Sequence, residues 1–333
     1  MRLSSAFLLA AGLAASMSAA RADECGDVDT LLRQAYPAAT RSADGASFTL
    51  EPHTRISVGA IADEWPFGLT CKAWPAHDDL LLVAVPLIDS AQSTDDGHFG
   101  DIEILVVSRK DLRVRQRLLQ PGLLNDDAIA IRKIEFDTAR YRLSPDVTAF
   151  GLRIAMANQS QPNPFSETDL RLYALAAGTL RVVLDGLVVS GSGGEGDANC
   201  AGSFHSSEVS LSMGSTSHHG YSDITAVEQI DTDNPGLDAN GECQSHPGKS
   251  ESKTYRLRYD GSRYPVPETL KALANWPVLA SSAEFSGKRR SDAAAGRGKF
   301  DVDAERSRAG GESLEDVLRR ASRHGNGHQS ARC

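Results

Sequence analysis

Apolar residues that alternate with polar ones, in stretches cut by tight turns, constrain this chain more than any other feature of its sequence. Successive side chains on a strand point to opposite faces, so a stretch of this kind buries its apolar set only when it is paired in a sheet. One strand runs from Ile102 to Val107, Ser108 to Asp111 turn the chain, and Leu112 to Leu118 return. On the returning strand Leu112, Val114, Gln116 and Leu118 share one face, and Arg113, Arg115 and Arg117 share the other. That row of like charge reads as an anion site or, more plainly, as a solvated face or edge that discourages aggregation; we take the plainer reading.

A second unit repeats the pattern of strand, short turn, strand. Phe150, Leu152, Ile154 and Met156 alternate first, then Leu170, Leu172 and Ala174; Ala176 to Thr179 turn, and Leu180, Val182 and Leu184 alternate again. Tyr255, Leu257 and Tyr259 lead into Asp260-Gly261, a hairpin dipeptide, with Tyr264 and Val266 on the return strand. Leu80 to Leu87 is almost unbroken in its apolar character, as expected of a strand buried on both faces, with Pro86 at its end. Helical spacing is confined to Val28, Leu31, Leu32 and Ala35, which stop before Pro37, and to a short segment after Pro267 in which Leu270 and Leu273 would face inward. The expected class is all-β and mainly antiparallel, a propeller-like array or a sandwich, with short terminal helices. No fixed-period repeat decides between the two.

The first 22 residues have the form of a secretory signal peptide: Arg2, the apolar run Ala6 to Ala15, and the cleavage pattern Ala20-Arg21-Ala22. The mature chain is expected to begin at Asp23. Residues preceding Cys25 lack the small and aliphatic character of a lipobox, and no later stretch approaches the roughly 20 apolar residues that span a bilayer. The expected location is the periplasm, or the medium after secretion. Residues 23–282 form the expected globular domain, and residues 283–333, polar and Gly-rich, an expected disordered tail. Within that tail, Ser313, Leu314, Asp316, Val317, Leu318 and Ala321 mark a possible short helix over residues 313–323.

The chain has 44 acidic against 35 basic residues, and the imbalance is concentrated in the body, since the tail carries 11 basic and 8 acidic residues. An acidic body repels nucleic-acid phosphates and anionic lipid, so no nucleic acid and no membrane insertion are expected. Cys25, Cys71, Cys200 and Cys243 read as two disulfides in an oxidising compartment. Of the three possible pairings, Cys25 with Cys71 and Cys200 with Cys243 is preferred, which leaves Cys333 as a thiol near the terminus.

Motifs for chemistry are few. Gly191-Ser192-Gly193-Gly194-Glu195-Gly196 satisfies a dinucleotide-binding pattern, but a helix does not follow it, so no nucleotide or other organic cofactor is expected and the stretch reads as a mobile loop tethered by Cys200. Asp231, Asp233, Asp238, Asn240 and Glu242 fall in an EF-hand-like loop with Gly236 at its sixth position, which makes calcium a candidate ligand. Pro235 occupies a ligand position and the flanks are strand-like, so the alternative is an acidic hairpin loop pinned by Cys243. His205, His218 and His219 lie between Cys200 and Cys243 and would need to meet in space to hold a metal. Glu195 and Asp197 would need a facing partner to act as acid and base. No nucleophile elbow, zincin or C-x-x-C motif occurs.

Gly220-Tyr221-Ser222-Asp223-Ile224, Cys243, and the run from Tyr255 to Tyr264 resemble the closing segment of exported proteobacterial proteins of unassigned function. The resemblance covers only Gly220 to Tyr264. It implies a periplasmic binding or protective factor and no site residues. The expected function is therefore non-enzymatic: an inhibitor-like or immunity-like protein that recognises a protein partner in the cell envelope through its loops. The alternatives are a cell-envelope polymer hydrolase using carboxylates such as Glu195, Asp197 or Asp231, and a calcium-stabilised structural module.

Overall fold

The computed structural model describes residues 24–58, 66–197 and 199–272. The expected signal peptide, Leu273, the expected tail with the helix expected over residues 313–323, and Cys333 lie outside the described residues. Helix α1 (Val28–Ala35) opens the fold, capped by Asp27, whose side chain accepts from the backbone N–H of Thr30. The capping carboxylate satisfies one of the N–H groups that a helix start leaves without an internal partner. The 3.6-residue spacing then places Leu31, Leu32 and Ala35 on one buried face.

Seven strands form the first sheet: β1 (Thr40–Arg41), β2 (Ser47–Glu51), β3 (Thr54–Ser57), β4 (Thr70–Ala73), β5 (Leu80–Asp89), β6 (Gly100–Ser108) and β7 (Val114–Gln120). Their order is β1-β2-β3-β5-β6-β7, with β4 also on β5. The continuous apolar run is explained by β5's two buried faces. Leu81, Val83, Val85 and Leu87 pack with Leu31, Leu32, Phe48 and Ile56 beneath α1, while Leu82, Ala84 and Ile88 enter the core between the sheets. Each such large side chain, fully buried, contributes about 1.5–3 kcal/mol. Pro86 is inside this strand and not at its end. It pairs with Ile102 across β6, while on β5's other side β4 reaches only to Ala84 and β3 begins at Ile88. The proline thus sits in the gap between two partners, where a missing N–H costs least.

The second sheet is an antiparallel meander of β8 (Ala130–Ser144), β9 (Val147–Ala157), β10 (Phe165–Ala176), β11 (Thr179–Gly196), β12 (Gly202–His218), β13 (Tyr221–Asp233) and β16 (Pro247–Leu257). A small hairpin of β14 (Gly236–Leu237) and β15 (Cys243–Gln244) interrupts it before β16. The two large sheets pack face to face and neither closes, so the chain is a sandwich and the propeller is set aside. Phe150, Leu152, Ile154 and Met156 line that interface together, as their alternation requires, with Trp74 edge-on to Phe150 at 5.0 Å between ring centroids. No helix among the described residues is long and apolar enough to cross a membrane.

Four further sequence expectations need correction. Leu112 belongs to the β6–β7 turn, with φ 54° and its N–H bonded to Ser108 O, so the return strand starts at Val114. The alternation of Leu180, Val182 and Leu184 breaks after Val182. A bulge there sends Leu180 and Val182 toward the first sheet and Leu184 to the opposite core. Beyond Asp260-Gly261 the chain turns, but Tyr264 does not enter a return strand. Its N–H bonds to Val183 O at 2.7 Å, and the N–H of Ala272 bonds to Gly186 O at 2.9 Å. Bulges in β11 expose carbonyls that β12, which pairs only with Ser190 to Gly196, does not reach. The closing segment covers that edge, and the expected helix after Pro267 is one 3-10 turn over Glu268–Leu270 with Leu270 buried.

Candidate binding surface on a disulfide-pinned arm

Past Val209 the outer strands of the second sheet leave the core. Glu208 to Phe204 on β12, Gln229 to Asp233 on β13, and Pro247 to Thr254 on β16 continue the ladder, mostly exposed to solvent on both faces. This arm ends at the β14–β15 hairpin. Cys200 and Cys243 are bonded, tying the hairpin to the turn between β11 and β12. Cys25 and Cys71 are bonded as well and fasten the segment before α1 to β4. Both pairings are those preferred from the sequence.

The glycine-rich run is not a mobile loop. Ser190 to Gly196 is strand, paired with Phe165 to Thr168 on one side and Gly202 to Glu208 on the other. Its glycines make room for an aromatic ring: a Cβ on Gly194 would lie 2.4 Å from Phe204 Cδ1 and 2.5 Å from Ser203 O, and one on Gly202 would lie 2.4 Å from Phe204 Cε2. Phe204 therefore lies over the glycines near the end of the arm, a stretch without side chains of its own.

The residues of the calcium pattern are dispersed along the arm. Asp231 accepts from Ser250 Oγ, and Asp233 accepts from Ser245 Oγ at 2.9 Å on each carboxylate oxygen. Asp238 Oδ1 accepts from the backbone N–H of Asn240 (2.8 Å) and of Glu242 (2.9 Å), closing the hairpin turn. Those backbone bonds hold the Asp238 carboxyl below its ordinary pKa. Asn240 and Glu242 are exposed at the same turn. Among the described residues no group of three or more His, Cys, Asp or Glu is placed to hold a metal.

The other candidates are also apart. Glu195 is exposed on β11, and Asp197 Oδ1 accepts from the N–H groups of Asn199 and Cys200, a turn-forming role. His205 is opposite Gly193 and Thr232 in the arm, while His218 and His219 stand at the other end of β12, about 40 Å away along an extended strand. His219, with φ 47°, and Gly220, with φ 85°, form the tight turn into β13. Arg113, just before the edge strand β7, and Arg115, on it, are exposed, but Arg117 is not part of an anion site. Its guanidinium donates to Ala35 O at 2.8 Å, stands 3.6 Å from Glu103 Oε1 and lies over the Tyr36 ring.

Three polar clusters went unnoticed in the sequence. His218 Nδ1 is 2.6 Å from Oδ1 of the buried Asp223. His98 Nδ1 is 2.8 Å from Oδ1 of the buried Asp126, which also accepts from the N–H groups of His98 and Ile131. Asp169 and Arg171 are paired and fully enclosed between the sheets, with Asp185 Oδ1 2.9 Å from Arg171 Nε. Two charges two residues apart in the otherwise apolar run Asp169 to Ala174 are the signal that could have found the last. None of the three brings together a nucleophile, a base and an oxyanion-binding pair in these contacts.

What the arm does offer is an end rich in carboxylates. Asp233, Asp238 and Glu242 lie in or beside the hairpin, Asp231 just before it on β13 and Asp197 in the turn tied to it by the disulfide, and Leu237, at 64 % exposure, is the most exposed large hydrophobic residue among the described ones. An apolar side chain turned to solvent among charged residues has the anatomy of a surface patch rather than of a folding core. No family model matches this chain, and no curated protein or solved structure matches it.

Proposed function

We propose that this is an exported, non-enzymatic protein of the periplasm, or of the secreted fraction, that binds a basic protein partner in the cell envelope at the end of the arm. The observation that supports this reading most directly is the position of Leu237, held outward on a hairpin fixed by the Cys200–Cys243 bond and flanked by carboxylates. A fixed hairpin loses little conformational entropy on association, which favours affinity. Carboxylates around it speed the approach of a basic partner and align it.

The test is capture from cell-envelope extract under non-reducing conditions, followed by titration calorimetry with the purified partner. A basic protein should bind in fixed stoichiometry, more weakly as salt rises, and at least tenfold more weakly to Leu237→Asp. Undiminished binding by Leu237→Asp, or a partner of acidic character, rejects the reading.

A further inference from the structure

We propose that the outer edge of β16 joins a second copy of this chain, antiparallel and centred on Ser252, to continue the seven-stranded sheet across a dimer. Among the described residues β16 pairs only with β13, and Pro247 to Thr254 are exposed. An edge of this length presents a row of backbone groups ready to pair, and proteins that remain monomeric block such edges by charge or proline.

The two sheets differ in how their edges are charged. On β7 the row of Arg115 and Arg117, preceded by Arg113, opposes like charges when two copies align centred on Arg115, Gln116 or Arg117. On β16 the residues sharing one face are Lys249, Glu251, Lys253 and Tyr255, in which sign alternates. When two β16 strands run antiparallel with Ser252 opposite Ser252, Glu251 of each copy faces Lys253 of the other. Lys249 then faces Tyr255, an aromatic ring suited to an ammonium group. Gly248 faces Arg256, and Ser250 faces Thr254, so no like charges are opposed.

Neighbouring registers match less completely. Centring on Glu251 opposes the two glutamates and sets Lys249 against Lys253; centring on Lys253 opposes two lysines. A shift of one residue puts the charged face of one strand against the small-residue face of the other. Centring on Ser250 also sets Lys249 against Glu251, but it pairs only residues 247–253 and leaves Lys253 opposite Pro247, so the Ser252 register alone is charge-matched along the whole of β16 (Pro247–Leu257). The other charges near this edge are on β13, where Glu228 is opposite Lys253 and accepts from Tyr255 Oη at 2.9 Å, and Asp231 is opposite Ser250. Lys253 would stand between Glu228 of its own copy and Glu251 of the other, an arrangement favourable to the ammonium group. The inference does not rest on the partner reading, because Leu237 and Asp238 are outside the paired stretch.

Sedimentation equilibrium of the exported full-length chain over a wide concentration range tests this, in a Cys333→Ser background so that no intermolecular disulfide contributes. The parent should show a reversible monomer–dimer equilibrium. Glu251→Lys and Lys253→Glu should each weaken it about tenfold or more, since each turns two opposite-charge pairs into two like-charge pairs. Mixing the two single variants should restore a dimer, now mixed, and so should the double variant Glu251→Lys/Lys253→Glu. Circular dichroism checks that each variant is folded. A parent that stays monomeric at the highest concentration, single variants that dimerise like the parent, or a mixture that stays monomeric overturns the proposal.

Discussion

Asp223 and His218 form a carboxylate–imidazole pair at the mouth of the β12–β13 hairpin, Oδ1 to Nδ1 at 2.6 Å, with the carboxylate buried and the ring partly in solvent. Burial opposes ionisation of Asp223, but hydrogen bonds from Thr216 Oγ1 (2.6 Å) and His218, with the charge of Arg258, outweigh it and lower its pKa. An aspartate whose folded-state pKa lies below the unfolded value stabilises the fold above the unfolded value, and that contribution is lost as pH falls through the folded value. Asp223→Asn should therefore lower stability at neutral pH by about 1.5–3 kcal/mol, the scale of hydrogen bonds to a charged group. The deficit should vanish in acid below the lowered pKa. Urea unfolding across pH 2–7 measures it; an equal deficit at both ends would mean that packing, not charge, links these residues.

Gly194 and Gly191 separate two reasons for a glycine in a strand. A Cβ at Gly194 collides with Phe204 and with the backbone of Ser203, whereas one at Gly191 meets its nearest atom at 3.5 Å, an ordinary contact. Gly194→Ala should destabilise by about 1–3 kcal/mol through overpacking. Gly191→Ala should be neutral or slightly stabilising, because the unfolded chain loses freedom. Equal unfolding midpoints for the two variants would show that the strand around Phe204 yields readily.

Asp169 and Arg171 form an ion pair in which both side chains are almost wholly buried. Arg171→Met leaves the enclosed carboxylate without its cation and should cost about 3–5 kcal/mol. Removing both charges, as Asp169→Leu/Arg171→Met, should recover most of that loss, since apolar groups of similar volume replace a buried pair at little net cost. The non-additivity of the two substitutions in denaturant melts is the informative quantity. A double variant as unstable as Arg171→Met would show instead that Asp185, which also meets Arg171, depends on the guanidinium.

Local patterning revealed the class, α1, both disulfides and the alternating core strands, because each depends on residues close in sequence or on cysteine arithmetic. Phe150 to Met156 could be assigned to one face from spacing alone, and the structure keeps them together. What escaped was set by long-range pairing. The glycines from Gly191 to Gly196 look like a loop by propensity and become a strand because two neighbours supply the hydrogen bonds and Phe204 supplies the bulk. Pro86 looks like a strand end, yet a gap between β4 and β3 shelters it. The pairs His98–Asp126 and His218–Asp223 are five and 28 residues apart in sequence, in reverse order, and neither spacing is a recognised motif.

The two disulfides, nearly equal in the loops they close, differ in what surrounds them. Cys25 and Cys71 are buried in the core beneath α1, while Cys243 is exposed on the arm and Cys200 only partly covered. Access of an attacking thiolate governs the rate of exchange, so mild reductant should open Cys200–Cys243 first, as alkylation and mass spectrometry would detect. Its loss should raise hydrogen exchange over residues 234–246 while the sandwich stays protected, because the arm's end contributes little to either core. Opening Cys25–Cys71, which closes a separation of 46 residues, should cost the whole fold about 4 kcal/mol on the chain-entropy estimate. Reduction in the opposite order would mean that the arm shields its disulfide better than the core does, and Leu237 could not then be freely presented to a partner.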